Sequence, residues 1–269
     1  MNRIERKFKQ LKEHNEKALV CFITAGDPDL KTTGKLVLAL EQCGTDIIEL
    51  GVPFSDPLAD GPTIQAASQR ALKNGVNLKQ ILKLVAQIRK TSSVPLALMT
   101  YYNLVLRYGE KKLMEDCGKS GVDGIIIPDL PPEESPALIK AARQNAVATI
   151  FFASPTSTPE RIKLADRLSR GFIYYVSLTG VTGARRGLPK DIRVNLQRIK
   201  RICDKPVCVG FGISTPEQVK AISQLSDGVI IGSAIVKKIE HNLGNKKLVE
   251  KVRSFVKKLA TALNREKSI

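Results

Sequence analysis

The sequence is poor in the residue types that bind metals or form disulfide frameworks. It has two histidines, His14 and His241, and five scattered cysteines, none of which forms a C-x-x-C pair. An odd number of dispersed cysteines with so little histidine argues against both a zinc site and a disulfide framework. Cys21 and Cys208 lie in apolar stretches, where we interpret them as small core residues. We therefore expect no metal.

Long hydrophobic runs are also missing. No apolar stretch approaches the roughly 18 residues of a membrane span, and residues 1–6 lack the apolar centre of a signal peptide. Hydrophobic residues still make up 43% of the 269 positions, enough for a sizeable core. No linker or low-complexity tract divides the chain. We expect a soluble cytoplasmic protein without membrane contacts, folded as a single domain over residues 1–269.

Acidic residues are outnumbered, and the formal net charge is +17. A nucleic-acid binder is one interpretation of such basicity. However, the lysines are dispersed and interleaved with glutamates, and neither aromatic stacking residues nor a recognised nucleic-acid motif accompanies them. We favour a solvated, lysine-rich surface with a general attraction for anions, and no nucleic-acid partner.

Short apolar runs alternate with amphipathic stretches along the whole chain. The runs are almost continuously apolar, as expected for parallel strands covered on both faces. The predicted strands are 19–24, 46–50, 95–99, 124–127, 148–152, 172–176, 207–209 and 228–231. Helical periodicity is found at 30–42, 78–89, 133–145, 159–168, 189–202, 216–224 and 248–263.

Eight strand–helix units without a break in composition predict an α/β fold, a single closed (β/α)₈ or TIM barrel with extra short helices. The alternative is an open, doubly wound sheet. Such a sheet usually carries a G-x-G-x-x-G turn after its first strand, and residues 24–28 (TAGDP) do not provide one. We therefore favour the barrel, whose active site would lie at the carboxyl ends of the strands.

The most informative stretch is residues 49–63, ELGVPFSDPLADGPT. Glu49 closes the second predicted strand, where burial of a charge is costly unless the group is paired or functional. Asp60 follows in the loop, so the two carboxyl groups could form an acid/base pair. The structural alternatives are an ion pair for Glu49 and an Asp-Gly turn for Asp60. Asp56, between two prolines, suits a turn or a partner contact as well as catalysis.

Other strand ends carry ligand-binding features. Glycines follow the seventh and eighth predicted strands, at Gly210-Phe211-Gly212 and Gly232-Ser233, and predict a phosphate site beside a helix start. A glycine-rich segment, 177–189, follows the sixth strand and suits a lid. Its two arginines could guard an anion or simply solvate the loop. Of Tyr101 and Tyr102, after the third strand, only one should point into the site.

Taken together, these motifs resemble the alpha subunit family of tryptophan synthase, the indole-3-glycerol-phosphate lyases. The matching stretches keep the family's order over nearly the whole chain: 22–28, 49–62, 99–103, 128–131, 180–183, 210–212 and 232–234. The first acidic loop and the G-V-T-G segment are the most specific, whereas the glycine pairs occur in other phosphate-binding barrels. Cys21 stands where many relatives have proline, a departure that does not touch the expected chemistry.

The resemblance implies a retro-aldol cleavage of indole-3-glycerol phosphate to indole and glyceraldehyde 3-phosphate, without a metal. Glu49 would transfer protons, Asp60 would accept a hydrogen bond from the indole N–H, and Tyr174 would lie beside the reacting side chain. The further implied substrate contacts are Phe22, Leu98 and Ile126 around the indole, Thr182 closing the lid over Asp60, and the backbone of Gly183, Gly212, Gly232 and Ser233 at the phosphate. Independently of the resemblance, Phe22 and Phe211 could provide flat apolar walls, with core packing as the alternative.

The resemblance also implies a partner. Family members dock on a beta subunit that uses pyridoxal phosphate to join indole with serine in an alpha2beta2 heterotetramer, so this chain would serve tryptophan biosynthesis with no cofactor of its own. Loops 53–60 and 178–189 would relay the state of each subunit's active site to the active site of the other subunit. The alternatives are a lyase that works alone, a regulatory subunit without catalysis, and a different phosphate-binding barrel. The retained Glu49 and Asp60 argue against the regulatory subunit.

Overall fold

Parallel strands form a barrel at the centre of the computed structural model, which describes residues 1–176, 191–210 and 212–263. The strands are β1 (Ala18–Thr24), β2 (Ile47–Gly51), β3 (Leu96–Met99), β4 (Gly124–Ile126), β5 (Ala148–Ile150), β6 (Phe152–Ala153), β7 (Ile173–Val176), β8 (Val207–Gly210) and β9 (Gly228–Ile231). Their order is β5-β4-β3-β2-β1-β9-β8-β7-β6, with every pair parallel. Only Phe151 separates β5 from β6, so these two are halves of one barrel strand and the sheet closes on itself. The predicted (β/α)₈ barrel is confirmed, and the open sheet is excluded.

Helices surround this barrel. In the described part of the chain they are α1 (Arg3–Glu13), α2 (Leu30–Glu41), α3 (Pro62–Lys73), α4 (Leu78–Ile88), α5 (Tyr102–Tyr108), α6 (Glu110–Ser120), α7 (Pro136–Gln144), α8 (Pro159–Leu168), α9 (Ile192–Ile202), α10 (Pro216–Ser223), α11 (Ser233–Glu240) and α12 (Leu248–Thr261). A 3₁₀ turn at Pro132–Glu134 precedes α7, which begins later than predicted because Pro136 suits the first helical turn. None of the helices described is long and apolar enough to cross a membrane.

Strand side chains alternate between two apolar layers. The outer layer lies between strands and helices and includes Leu19, Leu50 and Leu98. The interior cluster fills the barrel and includes Val20 and Ala97. Because both faces are buried, the strands are apolar throughout, which is the pattern that predicts them.

Helix α1 closes the amino-terminal end of the barrel. Its buried residues Ile4, Phe8 and Leu11 belong to the interior cluster, and the Phe8 ring packs on Phe172 with 5.6 Å between centroids. Gly124 makes room for this helix, because a Cβ there would lie 2.8 Å from the Ile4 Cδ1 atom. Because α1 plugs the amino-terminal end, the open mouth of the barrel is the opposite end, where the carboxyl termini of the strands lie.

Aspartates bind neighbouring strands together at the plugged end. Each stands just before or at the start of a strand and accepts the N–H of a residue in the preceding barrel strand. The pairs are Asp46 with Leu19 (2.7 Å), Asp123 with Leu96 (2.9 Å) and Asp227 with Val207 (3.0 Å). Asp123, which is 2% exposed, also pairs with Arg3 (3.0 Å) and Arg89 (2.7 Å). It therefore joins α1, α4 and β3.

We expect Asp123→Ala to lower the free energy of unfolding by about 3–5 kcal/mol, because it leaves the largely buried Arg89 guanidinium without its carboxylate. Urea denaturation at neutral pH measures this change. Glu13→Ala, which breaks an exposed pair with Lys9, is the control and should cost less than about 1 kcal/mol. A loss below about 1 kcal/mol for Asp123→Ala would contradict this account of the plugged end.

Candidate active site

Glu49 lies in the middle of β2 with its side chain in the barrel interior. It pairs in register with Phe22 on β1 and Ala97 on β3, and it is completely buried. Within the described residues neither carboxylate oxygen has a hydrogen-bond partner. Burial raises the pKa of Glu49 to about 8, so the group is mostly protonated at neutral pH. The ion pair considered as an alternative for Glu49 is absent from the described part of the structure.

Tyr174 faces the same interior space from β7. Its pKa is raised well above the ordinary value, first by burial and then by the charges of Glu49 and Asp60, which places the two carboxyl groups near one phenol. Two glycines make room for the aromatic rings. A Cβ at Gly51 would lie 2.4 Å from the Phe22 Cζ atom, and one at Gly210 would lie 2.6 Å from the Tyr174 Cε1 atom.

Asp60 lies in the loop between β2 and α3, partly buried. Burial raises its pKa to about 6, and a hydrogen bond from the Tyr101 hydroxyl opposes that rise. The same hydroxyl accepts the Ala59 N–H at 3.0 Å, and the Tyr101 ring stacks on Phe54 with centroids 5.2 Å apart. The Gln65 side-chain amide donates to the Asp60 carbonyl at 2.8 Å. The loop is therefore anchored on both sides of the carboxylate.

The two adjacent tyrosines have different roles, as predicted. Tyr101 is buried and faces Asp60, whereas Tyr102 begins α5 and its hydroxyl contacts Glu110. The Asp129 carboxylate accepts the Tyr102 N–H at 2.9 Å and so caps that helix. Asp129 thus holds the local structure at the rim of the barrel.

The predicted phosphate site lies after β8 and β9. Helix α11 begins at Ser233, and Gly232 before it provides no side-chain cap. The Ile235 N–H donates to the Gly232 carbonyl at 2.8 Å, so the N–H groups that suit an anion are those of Ser233 and Ala234. Gly212 has a φ of +40°, in the region that favours glycine. Thr182, Gly183 and Phe211, with the predicted lid, lie outside the described residues. Their proposed contacts stay predictions.

The structure bears on two apolar residues that the sequence analysis assigned to the indole. Ile126 belongs to the interior cluster, as expected for an indole contact. Leu98 does not: it lies in the outer layer, and its neighbour Met99 packs against the interior cluster and Phe22. The assignment of Leu98 is corrected to Met99, because successive strand residues face opposite sides.

Two further interior features bear on the site. The Phe152 ring packs on Tyr174 with centroids 4.9 Å apart, and the two residues are register partners on β6 and β7. The sequence analysis did not assign Phe152 to the site. Thr24, two residues beyond Phe22 and on the same strand face, has a buried hydroxyl without a partner among the residues described. A hydroxyl in this state is available to a bound ligand.

The site has no set of three metal-binding side chains within residues 1–176, 191–210 and 212–263. Its chemical groups are instead a neutral buried carboxyl, a second carboxyl that ionises at lower pH, a phenol and an exposed helix start. Two carboxyl groups with separated pKa values can serve as an acid and a charge-stabilising base in one reaction.

Comparisons with known proteins agree with one another. A family model described as tryptophan synthase alpha chain matches residues 8–264. The tryptophan synthase alpha chain of Thermoanaerobacter sp. (strain X514) is 48% identical over 98% of this chain and all of that protein. The tryptophan synthase alpha subunit structure from Legionella pneumophila str. Paris superposes with a TM-score of 0.93 at 34% identity, covering 99% of this chain and 100% of that one.

A chain from the tryptophan synthase a2b2 complex of Pyrococcus furiosus gives a TM-score of 0.85 at 42% identity, covering 91% of this chain and 99% of that one. Relatives and structures are thus matched over nearly their full lengths, with the barrel and the Glu49–Asp60 site inside the matched region. The chain belongs to the tryptophan synthase alpha chain family.

Proposed function

We propose that this chain cleaves indole-3-glycerol phosphate to indole and glyceraldehyde 3-phosphate as the alpha subunit of a tryptophan synthase. The observation that carries the proposal is the pair of carboxyl groups in one site, with a pKa of about 8 for Glu49 and about 6 for Asp60. Between these values Glu49 holds a proton while Asp60 is ionised. The reaction needs these two states together.

Glu49 moves the protons. Its carboxylic acid donates to the indole carbon that bears the side chain, which converts the ring to an indolenine and leaves a carboxylate. This carboxylate then removes the proton of the neighbouring side-chain hydroxyl while the carbon–carbon bond breaks and its electrons return to the ring. An aldehyde and indole are formed, and Glu49 regains its proton. The dry, unpaired surroundings of Glu49 support this role because they favour the neutral acid at the start of the cycle.

Asp60 stabilises the charge on the ring. As the indole ring is protonated, positive charge develops at its nitrogen, and an ionised carboxylate that accepts the N–H hydrogen bond favours that intermediate. The hydrogen bond from Tyr101 keeps this carboxylate oriented. The Tyr174 phenol faces the same interior space as Glu49, where it would contact the reacting side chain.

The remaining contacts follow from the two ends of the substrate. Phe22, Met99 and Ile126 offer apolar surface to the indole, and the helix start at Ser233 with the backbone of Gly212 and Gly232 suits the phosphate. Contacts by Phe211, Thr182 and Gly183 belong to the same proposal.

We further propose a beta subunit as partner, by analogy with the a2b2 complex of Pyrococcus furiosus. Leu58 at the tip of the loop between β2 and α3 is 94% exposed, and Leu106 on α5 is 61% exposed. Both residues follow strands at their carboxyl ends, after β2 and β3, so they lie on the side of the active-site mouth and are candidate contacts for the partner. Pyridoxal phosphate would belong to the partner. The cytoplasmic location and the lack of a cofactor in this chain stay predictions.

An indole-release assay with and without a beta subunit tests the activity and the partnership.

We expect Glu49→Gln to lower kcat for indole release by about two to four orders of magnitude, the usual contribution of general acid–base catalysis. The fold should be retained, because glutamine has nearly the same shape as the neutral acid. Circular dichroism and binding of indole-3-propanol phosphate, which lacks the hydroxyls needed for cleavage, are the controls. Unchanged indole release by a folded variant would refute the role of Glu49.

We expect kcat/KM to follow a bell-shaped pH profile, with limbs near the pKa values of about 6 for Asp60 and about 8 for Glu49. Activity falls at low pH as Asp60 gains a proton, and at high pH as Glu49 loses one. The substrate phosphate also titrates near pH 6, so Asp60→Asn is the control. It should remove the Asp60 contribution to the acidic limb and leave the limb near 8. Activity that keeps rising through pH 9 would contradict the assignment.

A further inference from the structure

Two helices flank the proposed site outside the ring of eight that surrounds the barrel. Both α3 and α4 lie between β2 and β3, and both α11 and α12 follow β9, so α3 and α11 are extra. Helix α3 begins directly after Asp60, at the indole end of the proposed substrate. Helix α11 begins at Ser233, at the phosphate end. The positions of these two helices therefore determine how far apart the two ends of the site lie.

The two extra helices pack together over the end of β1. Ile64 and Ala67 of α3 and Val236 of α11 form one small apolar cluster with Phe22. This cluster is apolar and non-directional, so it holds the helices together without fixing how they slide along each other. A directional contact is needed to set their relative position.

Arg70 on α3 provides such a contact. Its Nε and one terminal nitrogen bind the Asp27 carboxylate in a bidentate pair, at 2.8 and 2.9 Å, and its other terminal nitrogen binds the Glu240 carboxylate at 2.9 Å. Asp27 lies in the loop between β1 and α2 and is completely buried, and Glu240 is the last residue of α11. One guanidinium therefore joins α3, α11 and the loop after β1.

The chemistry of the contact makes it rigid. The N–H donors of a guanidinium lie in one plane and point in fixed directions. Its carboxylate partners therefore cannot shift far relative to each other, whereas a lysine ammonium would allow such a shift. The relative position that Arg70 sets is then carried to the two ends of the site, by α3 to Asp60 and by α11 to the phosphate site. Gln65 on α3 holds the Asp60 carbonyl at 2.8 Å, and α11 connects Glu240 to Ser233 through two turns of helix.

We propose that Arg70 is a positioning residue that sets the separation between Asp60 and the phosphate site, so that both ends of one substrate molecule are held at once. This inference rests on the proposed function, because the two ends are those of indole-3-glycerol phosphate. The competing explanation is that Arg70 only stabilises the fold. The two explanations differ in what they predict for ligands that occupy one end or both ends.

The test compares binding of three probes to the full chain by calorimetry. Indole-3-propanol phosphate occupies both ends, glycerol 3-phosphate occupies the phosphate end, and indole occupies the other. Glu240→Ala is the main variant, because it releases α11 from Arg70 while the buried Asp27 keeps its partner. Arg70→Lys is the second variant, because it keeps the charge beside Asp27 but cannot make all three contacts. Glu5→Ala, which breaks the Arg170 pair at the plugged end, is the matched control.

We expect Glu240→Ala and Arg70→Lys to weaken binding of the two-ended probe about five- to tenfold, less than the roughly hundredfold loss of reaction rate that a 1 Å misplacement of reacting groups can cause. Binding of glycerol 3-phosphate and indole should change less than about twofold, as each needs only one end. Glu240→Gln keeps an oxygen that can accept from Arg70 and should recover most of the loss. Glu5→Ala should leave all three affinities unchanged.

Equal weakening of all three probes, together with a lowered melting temperature, would overturn the proposal in favour of a purely structural role. Unchanged binding of the two-ended probe in both variants would overturn it as well. These outcomes are separate from a failure of the proposed function, which would be seen in the unmodified chain as a lack of indole release.

Discussion

The proposed chemistry depends on one unfavourable burial, that of the Glu49 carboxyl group inside the barrel. No counter-charge or hydrogen bond compensates it among the residues described, so the neutral form is favoured and the pKa rises to about 8. An acid that keeps its proton at neutral pH can protonate a weakly basic carbon such as that of an indole ring. The free-energy cost of desolvating the carboxylate thus keeps Glu49 in its protonated, reactive form.

The rest of the fold keeps that environment dry and open on one side only. Helix α1 fills the amino-terminal end with Ile4, Phe8 and Leu11, and Asp123 binds strands and helices together there. At the other end, the same interior meets loops that are polar, where Asp60 is less buried and ionises near pH 6. Asp60 is less buried than Glu49 and also accepts the Tyr101 hydrogen bond, and both differences keep its pKa below that of Glu49.

Sequence patterns predicted the barrel, and they singled out Glu49 because a carboxylate within an apolar strand stands out against its neighbours. They failed for Leu98, since a run that is apolar at every position does not reveal which side chains face inward. The contacts of Arg70 could not be predicted either. Its partners lie 43 and 170 residues away, and no local spacing indicates an ion pair that only the assembled fold creates.

The most direct test of the central claim is the titration of Glu49 itself. In a chain labelled with ¹³C at the glutamate carboxyl carbons, the resonance absent from Glu49→Gln identifies this residue, and its chemical shift is followed against pH. The account predicts a midpoint near the pKa of about 8, with the protonated form dominant at neutral pH. A midpoint near 4.3, the ordinary value for glutamate, would contradict it.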